Sequence, residues 1–224
     1  MTSELLLAYV LFCFATAGTP GPNNMMLLAS GANFGFRRTV LHMAGVSCGM
    51  GFMVLCMGLG LGGVFKAFPV LHEILRWAGA AYMLWLAWKI GTATKVSDGR
   101  VGAKPMTFFQ AVAFQWVNPK AWAMALGAVT TYAPEGGAWT VIPLLAAIFT
   151  VVGAPCNAAW AGFGQGMRPF LDRPAVLRTF NVVMAVLLVI SLYPMMIEHG
   201  KAPPLTARAL AVDAPAIVVT PWRG

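Results

Sequence analysis

The sequence predicts an all-α membrane protein: six transmembrane helices forming two inverted three-helix repeats, with helices 1 and 4 broken. Three observations predict this. Of 224 residues, 59% are hydrophobic and 10% charged, with a mean hydropathy of +0.73, whereas soluble domains average about 45–50% apolar and about 25% charged. Charged residues delimit six apolar blocks, and a bilayer-spanning helix takes roughly 20 such residues. The first and fourth blocks each contain a proline-bearing polar run deep inside.

The blocks follow in order. Leu5 to Phe36 is free of formal charge and holds the first span plus a return toward Arg37 and Arg38. Ala15-Thr16-Ala17 within it matches a signal-cleavage pattern, but Glu4 stands where a signal carries lysine or arginine, so the segment reads as a retained span. Thr39 to Phe65 is the second span and Pro69 to Trp88 the third, with Arg76 in its first turns. Pro105 to Pro134 is interrupted only by Lys120, Gly136 to Met167 is free of charge, and Thr179 to Ile197 closes the set. One transporter-sized domain over 1–197 is therefore expected, in halves of about 1–91 and 105–197, followed by a loose, proline-containing tail over 198–224.

Orientation follows from lysine and arginine, which concentrate in cytoplasmic loops. The connections after spans one, three and five carry Arg37, Arg38, Lys89, Lys95, Arg100, Lys104, Arg168, Arg173 and Arg178. The other face has Lys66 and Arg76, with Lys201, Arg208 and Arg223 in the tail. Both termini are predicted to be periplasmic. The net charge of +8 is accounted for by these loops, and because it forms neither stripe nor patch, nucleic acid is not an expected partner. The lipid bilayer is, and self-association is left open.

Span one contains Thr19-Pro20-Gly21-Pro22-Asn23-Asn24. Each proline lacks an N–H and clashes with the preceding turn, so helix cannot run through it. The freed backbone groups at membrane depth are tolerable only against protein or a water-filled cavity. An isolated proline would read as a packing kink, but span four holds a second break, Trp116-Val117-Asn118-Pro119-Lys120. Breaks at matching positions of two halves point to an inverted-repeat transporter with its site between them. Pro22 and Pro119 lie 97 residues apart. Three crossings per half then turn the second half upside down. A lysine at the centre of a span costs about 2.5–3.5 kcal/mol on insertion scales, so Lys120 is expected to face a polar cavity, unless span four is a hairpin with Lys120 at its wet tip. Asn23, Asn24 and Asn118 offer donors and acceptors for broken backbone and for a zwitterion.

These two motifs in order, the glycines Gly31, Gly35, Gly45 and Gly49, and the run from Arg76 through Gly79, Tyr82 and Trp85 to Lys89 resemble the lysine exporter (LysE/RhtB) family. The resemblance covers roughly residues 5–197. It implies a secondary transporter that exports amino acids across the bacterial inner membrane, by proton antiport. The glycine pairs also read as small-residue packing.

All seven acids lie at block edges or outside the blocks. Without a counter-charge in the membrane, a neutral or small polar amino acid is expected rather than lysine or arginine. The expected substrate site comprises Pro20, Gly21, Pro22, Asn23, Asn24, Asn118, Pro119 and Lys120. The half-helix starting near Asn23 would aim its dipole at the substrate carboxylate, assisted by Lys120, while broken-helix carbonyls and the amides of Asn23 and Asn118 hold the ammonium. Tyr82 is deep enough to touch a cavity, and His42 is the residue type that titrates near neutral pH; it reads otherwise as an interfacial histidine. No cofactor or metal is expected, since Cys13, Cys48, Cys56 and Cys156 show no ligand spacing. An intramembrane enzyme is disfavoured for want of a nucleophile–base pair or an H-E-x-x-H motif. A channel whose breaks line a pore remains the alternative.

Overall fold

The computed structural model describes residues 1–61, 69–92, 104–133, 138–171 and 173–190. The tail expected over 198–224, and the end of the sixth block, lie outside the described residues.

Helix α1, Ser3–Gly18, starts where the Thr2 hydroxyl accepts from Leu5 N at 3.3 Å. It stops because Thr19, which precedes a proline, is held extended at φ −68° and ψ 142°. Helix α2, Pro22–Phe34, begins with Pro22 in the first turn, where the missing N–H costs nothing. The two helices are bent by 57° at this break. Gly35 then takes φ +82°, a conformation suited to glycine, and turns the chain into α3, Phe36–Cys56. A π-helical turn, Met57–Leu61, extends α3.

Helix α4 spans Pro69–Gly91. Helix α5, Phe108–Gln115, is only eight residues long and opens with a capping box between Thr107 and Gln110. Trp116 to Asn118 interrupt it, and α6 restarts at Pro119–Tyr132 with Asn118 as its N-cap. Helix α7, Ala138–Met167, runs into a 3-10 turn at Arg168–Phe170, and α8 is Pro174–Ile190. Among the described residues the order is thus a broken pair, a long helix and a further helix, twice over.

Helices α3 and α7 form the centre. Helices α1 and α2 pack on α7, α5 packs on α3, and α4 pairs with α8. Backbones approach closely wherever glycine removes the side chain: Gly31 of α2 against the Ala161 carbonyl and Gly164 of α7 against the Leu28 carbonyl. Gly45 and Gly49 of α3 lie on α5, against Phe108 and Val112. This is small-residue packing of the kind lipid-embedded helices use in place of a hydrophobic drive.

Outward, the surface is apolar: Leu7, Phe14, Leu41, Val70, Val151, Phe163 and Phe109, the last 80% exposed. So extensive an apolar exterior suits lipid rather than water. By length and composition, Phe36–Leu61 and Thr140–Leu171 each suffice to cross a membrane, and α1 with α2 makes a third crossing if the bent pair counts as one.

Candidate functional site

The last four carbonyls of any helix lack intrahelical partners; at the end of α1 Thr19 answers Ala15 O and Thr16 O, and side chains from three other helices answer Ala17, Gly18 and the Thr19–Pro20 segment beyond. Asn24 Nδ2 of α2 donates to Ala17 O at 2.9 Å and Thr19 O at 2.6 Å, using both its hydrogens. Trp160 Nε1 of α7 donates to Gly18 O at 3.2 Å. Lys120 Nζ of α6 donates to Thr19 O at 2.6 Å, to Thr19 Oγ1 at 2.9 Å and, more distantly, to Pro20 O at 3.4 Å. The lysine lies across Gly21, where a Cβ would meet its Cδ at 2.7 Å. Its position follows from charge: at the second residue of α6 it sits on the positive end of its own helix, and it reaches to the negative end of α1.

The second break is tied to the first by amides. Asn23 Nδ2 donates to Gln115 Oε1 at 2.8 Å, and Gln115 Nε2 returns a bond to Asn23 Oδ1 at 3.2 Å while also donating to Ala111 O at 2.9 Å. Both side chains are buried. Asn23 is therefore committed to a neighbouring helix, not held in reserve for an ammonium group. Asn118 Oδ1 caps α6 by accepting from Lys120 N at 3.2 Å, which fixes the orientation of the amide. Its Nδ2, on a side chain 1% exposed, has no partner among the described residues. A spare N–H₂ group is a donor, so it suits a carboxylate and not an ammonium.

Both breaks open on one cavity of about 20 Å³, the room of about one water. Its polar wall includes Gly21, Asn23, Asn24, Asn118 and Lys120 of the expected set, and its apolar wall Val46, Met50, Met124 and Phe149. Pro20, Pro22 and Pro119 shape the chain around it. Tyr82 is not among the lining residues; it packs on Phe114 with ring centroids 5.8 Å apart and on Trp85 at 5.4 Å. Nor is His42, which is 2% exposed, with neither ring nitrogen partnered among the described residues. Thr39 and His42 are buried in the bundle, while Arg37, Arg38, Val40 and Leu41 on the same turns of α3 are exposed.

Sequence reasoning missed Thr16, Thr19, Ser47, Gln115 and Asn157. Asn157 Nδ2 donates to Ser47 Oγ at 2.9 Å, and both line the cavity. The available signal was an asparagine inside a charge-free apolar block, and a glutamine immediately before the second break.

Fold and site together define a helical membrane protein in which two interrupted helices share a polar cavity. Residues 14–192 match the family described as LysE type translocator. The chain is 36% identical, over 191 residues, to proteins named cysteine/O-acetylserine efflux protein in Escherichia coli strains HS and K12 and in Shigella sonnei, an alignment covering 84% of this chain and 96% of each relative. The chain belongs to the LysE type translocator family. No solved structure matches it.

Proposed function

We propose that the chain is a secondary transporter exporting small neutral amino acids across the bacterial inner membrane, with O-acetylserine and cysteine, named for its relatives, as first substrates. One observation carries the site: Asn118, whose Nδ2 is a buried donor without a partner among the described residues, lines a cavity bounded by both helix breaks. The carboxylate is assigned to that donor and the positive start of α6. No acidic side chain lines the cavity among the described residues, which favours substrates without a second positive charge. Met50, Met124 and Phe149 offer a soft apolar wall for a short thiol or ester side chain.

Six crossings in two inverted halves are the architecture that this reading requires. The repeated element order supports it, and alternating access then follows from rocking one half against the other. A cavity no larger than a water favours a carrier over an open pore. Proton antiport is the coupling we assign, with His42 as the buried group to test first.

The test is export. Cells making the chain, fed precursors of cysteine, should accumulate O-acetylserine or cysteine in the medium several-fold above cells lacking it, with lysine unchanged. Equal levels with the protein verified in the membrane would reject the assignment.

A further inference from the structure

We propose that the carbonyl nest at the end of α1 is the ammonium seat of the transported zwitterion, and that Lys120 fills it as a tethered ammonium which the substrate displaces. The seat does not depend on the export reading; the displacement does.

A lysine ammonium and the α-ammonium of an amino acid are both RNH₃⁺ groups with three donors and no acceptor. Thr19 O, Thr19 Oγ1 and Pro20 O gather around Lys120 Nζ. Thr19 Oγ1 is free to accept because its own hydrogen goes to Thr16 O at 3.0 Å. The negative end of α1 adds to the pull on a cation. These acceptors therefore recognise a primary ammonium, and one is already in place.

Once displaced, the partly buried Lys120 loses the three acceptors on exposed Thr19 and Pro20 that hold its charge. It stems from the second residue of α6, beside the Asn118 Nδ2 donor. A substrate carboxylate at that donor gives the released ammonium its counter-charge. An incoming zwitterion thus exchanges one ammonium for another at α1 and neutralises the one it evicts, with no change in net charge. An amine without a carboxylate evicts Lys120 and leaves it stranded; an acid without an amine finds the seat still occupied. Selection for a molecule bearing both groups follows from a single lysine.

Chemical rescue tests the seat without transport. The purified full-length Lys120→Ala variant should unfold at a lower temperature than the parent chain, and ethylammonium should restore about 2–4 °C of the loss. Tetramethylammonium, which has no N–H, should restore none, and the parent should respond to neither. O-acetylserine should raise the ethylammonium concentration for half-effect at least threefold in the variant. If Lys120→Ala is not recovered folded, Lys120→Met keeps the apolar stem and the same readout. Equal responses of parent and variant, or no response of either, would overturn the seat. Rescue in a chain that exports no amino acid keeps the seat and removes the displacement; export without rescue removes the seat, and the displacement with it, and leaves the export reading standing.

Discussion

The amide pair of Asn23 and Gln115 is the residue-scale joint between the two helix breaks. Replacing Gln115 by leucine leaves a buried asparagine amide without its partner, and an unsatisfied buried polar group costs about 1–3 kcal/mol. The Gln115→Leu variant should therefore show a lowered unfolding temperature in detergent. Removing both groups, as Asn23→Leu with Gln115→Leu, should cost less than the sum of the single changes, because neither partner is then orphaned. Additive losses would mean that the pair is not coupled. Of the site, the asparagines and the lysine were legible because polar groups beside prolines in lipid demand a purpose. Gln115 was not: nothing in its own turn of helix announces that its partner is 92 residues away.

At the scale of elements, the breaks were legible because proline acts locally, whereas the contacts that accommodate them are tertiary. Gly79 of α4 shows the difference. It read as one small residue in an aromatic run, yet a Cβ there would collide with the carbonyl of Val117, inside the second break. Helix α4 is thus pressed on the interrupted backbone of its neighbour, as α2 and α7 are pressed together at Gly31 and Gly164. Overpacking typically costs about 1–3 kcal/mol, so Gly79→Ala and Gly31→Ala should each lower the unfolding temperature. Gly127→Ala should not, since its added Cβ would stand 3.6 Å from the Phe12 ring, an ordinary contact. Equal stability of all three variants would show that the close approaches are not constraints.

For the whole molecule, sidedness rests on where charge gathers. Arg37, Arg38, Arg173 and Arg178 are exposed. The turn between α2 and α3 is fastened to the end of α7 by Gln165 Oε1, which accepts from Phe36 N at 2.5 Å. The Arg168 guanidinium lies 3.6 Å from where a Cβ on Gly35 would be. One end of the bundle is therefore basic, as cytoplasmic ends are. In a chain cleared of its native cysteines, Arg173→Cys should be labelled by an impermeant thiol reagent only in inside-out vesicles; labelling from the periplasm would reverse the topology. The apolar, all-helical character and the charge bias were open to reading because they are sums along the chain. Which helix touches which was not, because that depends on residues far apart in sequence.

The convergence on α1 has a further consequence, for biosynthesis. Gly18 awaits Trp160, 142 residues downstream, and Thr19 awaits Lys120, 101 residues downstream. The end of α1 thus leaves the ribosome well before its partners, and its polar groups have to be sheltered by water, lipid headgroups or the insertion machinery until Lys120 and Trp160 have been made.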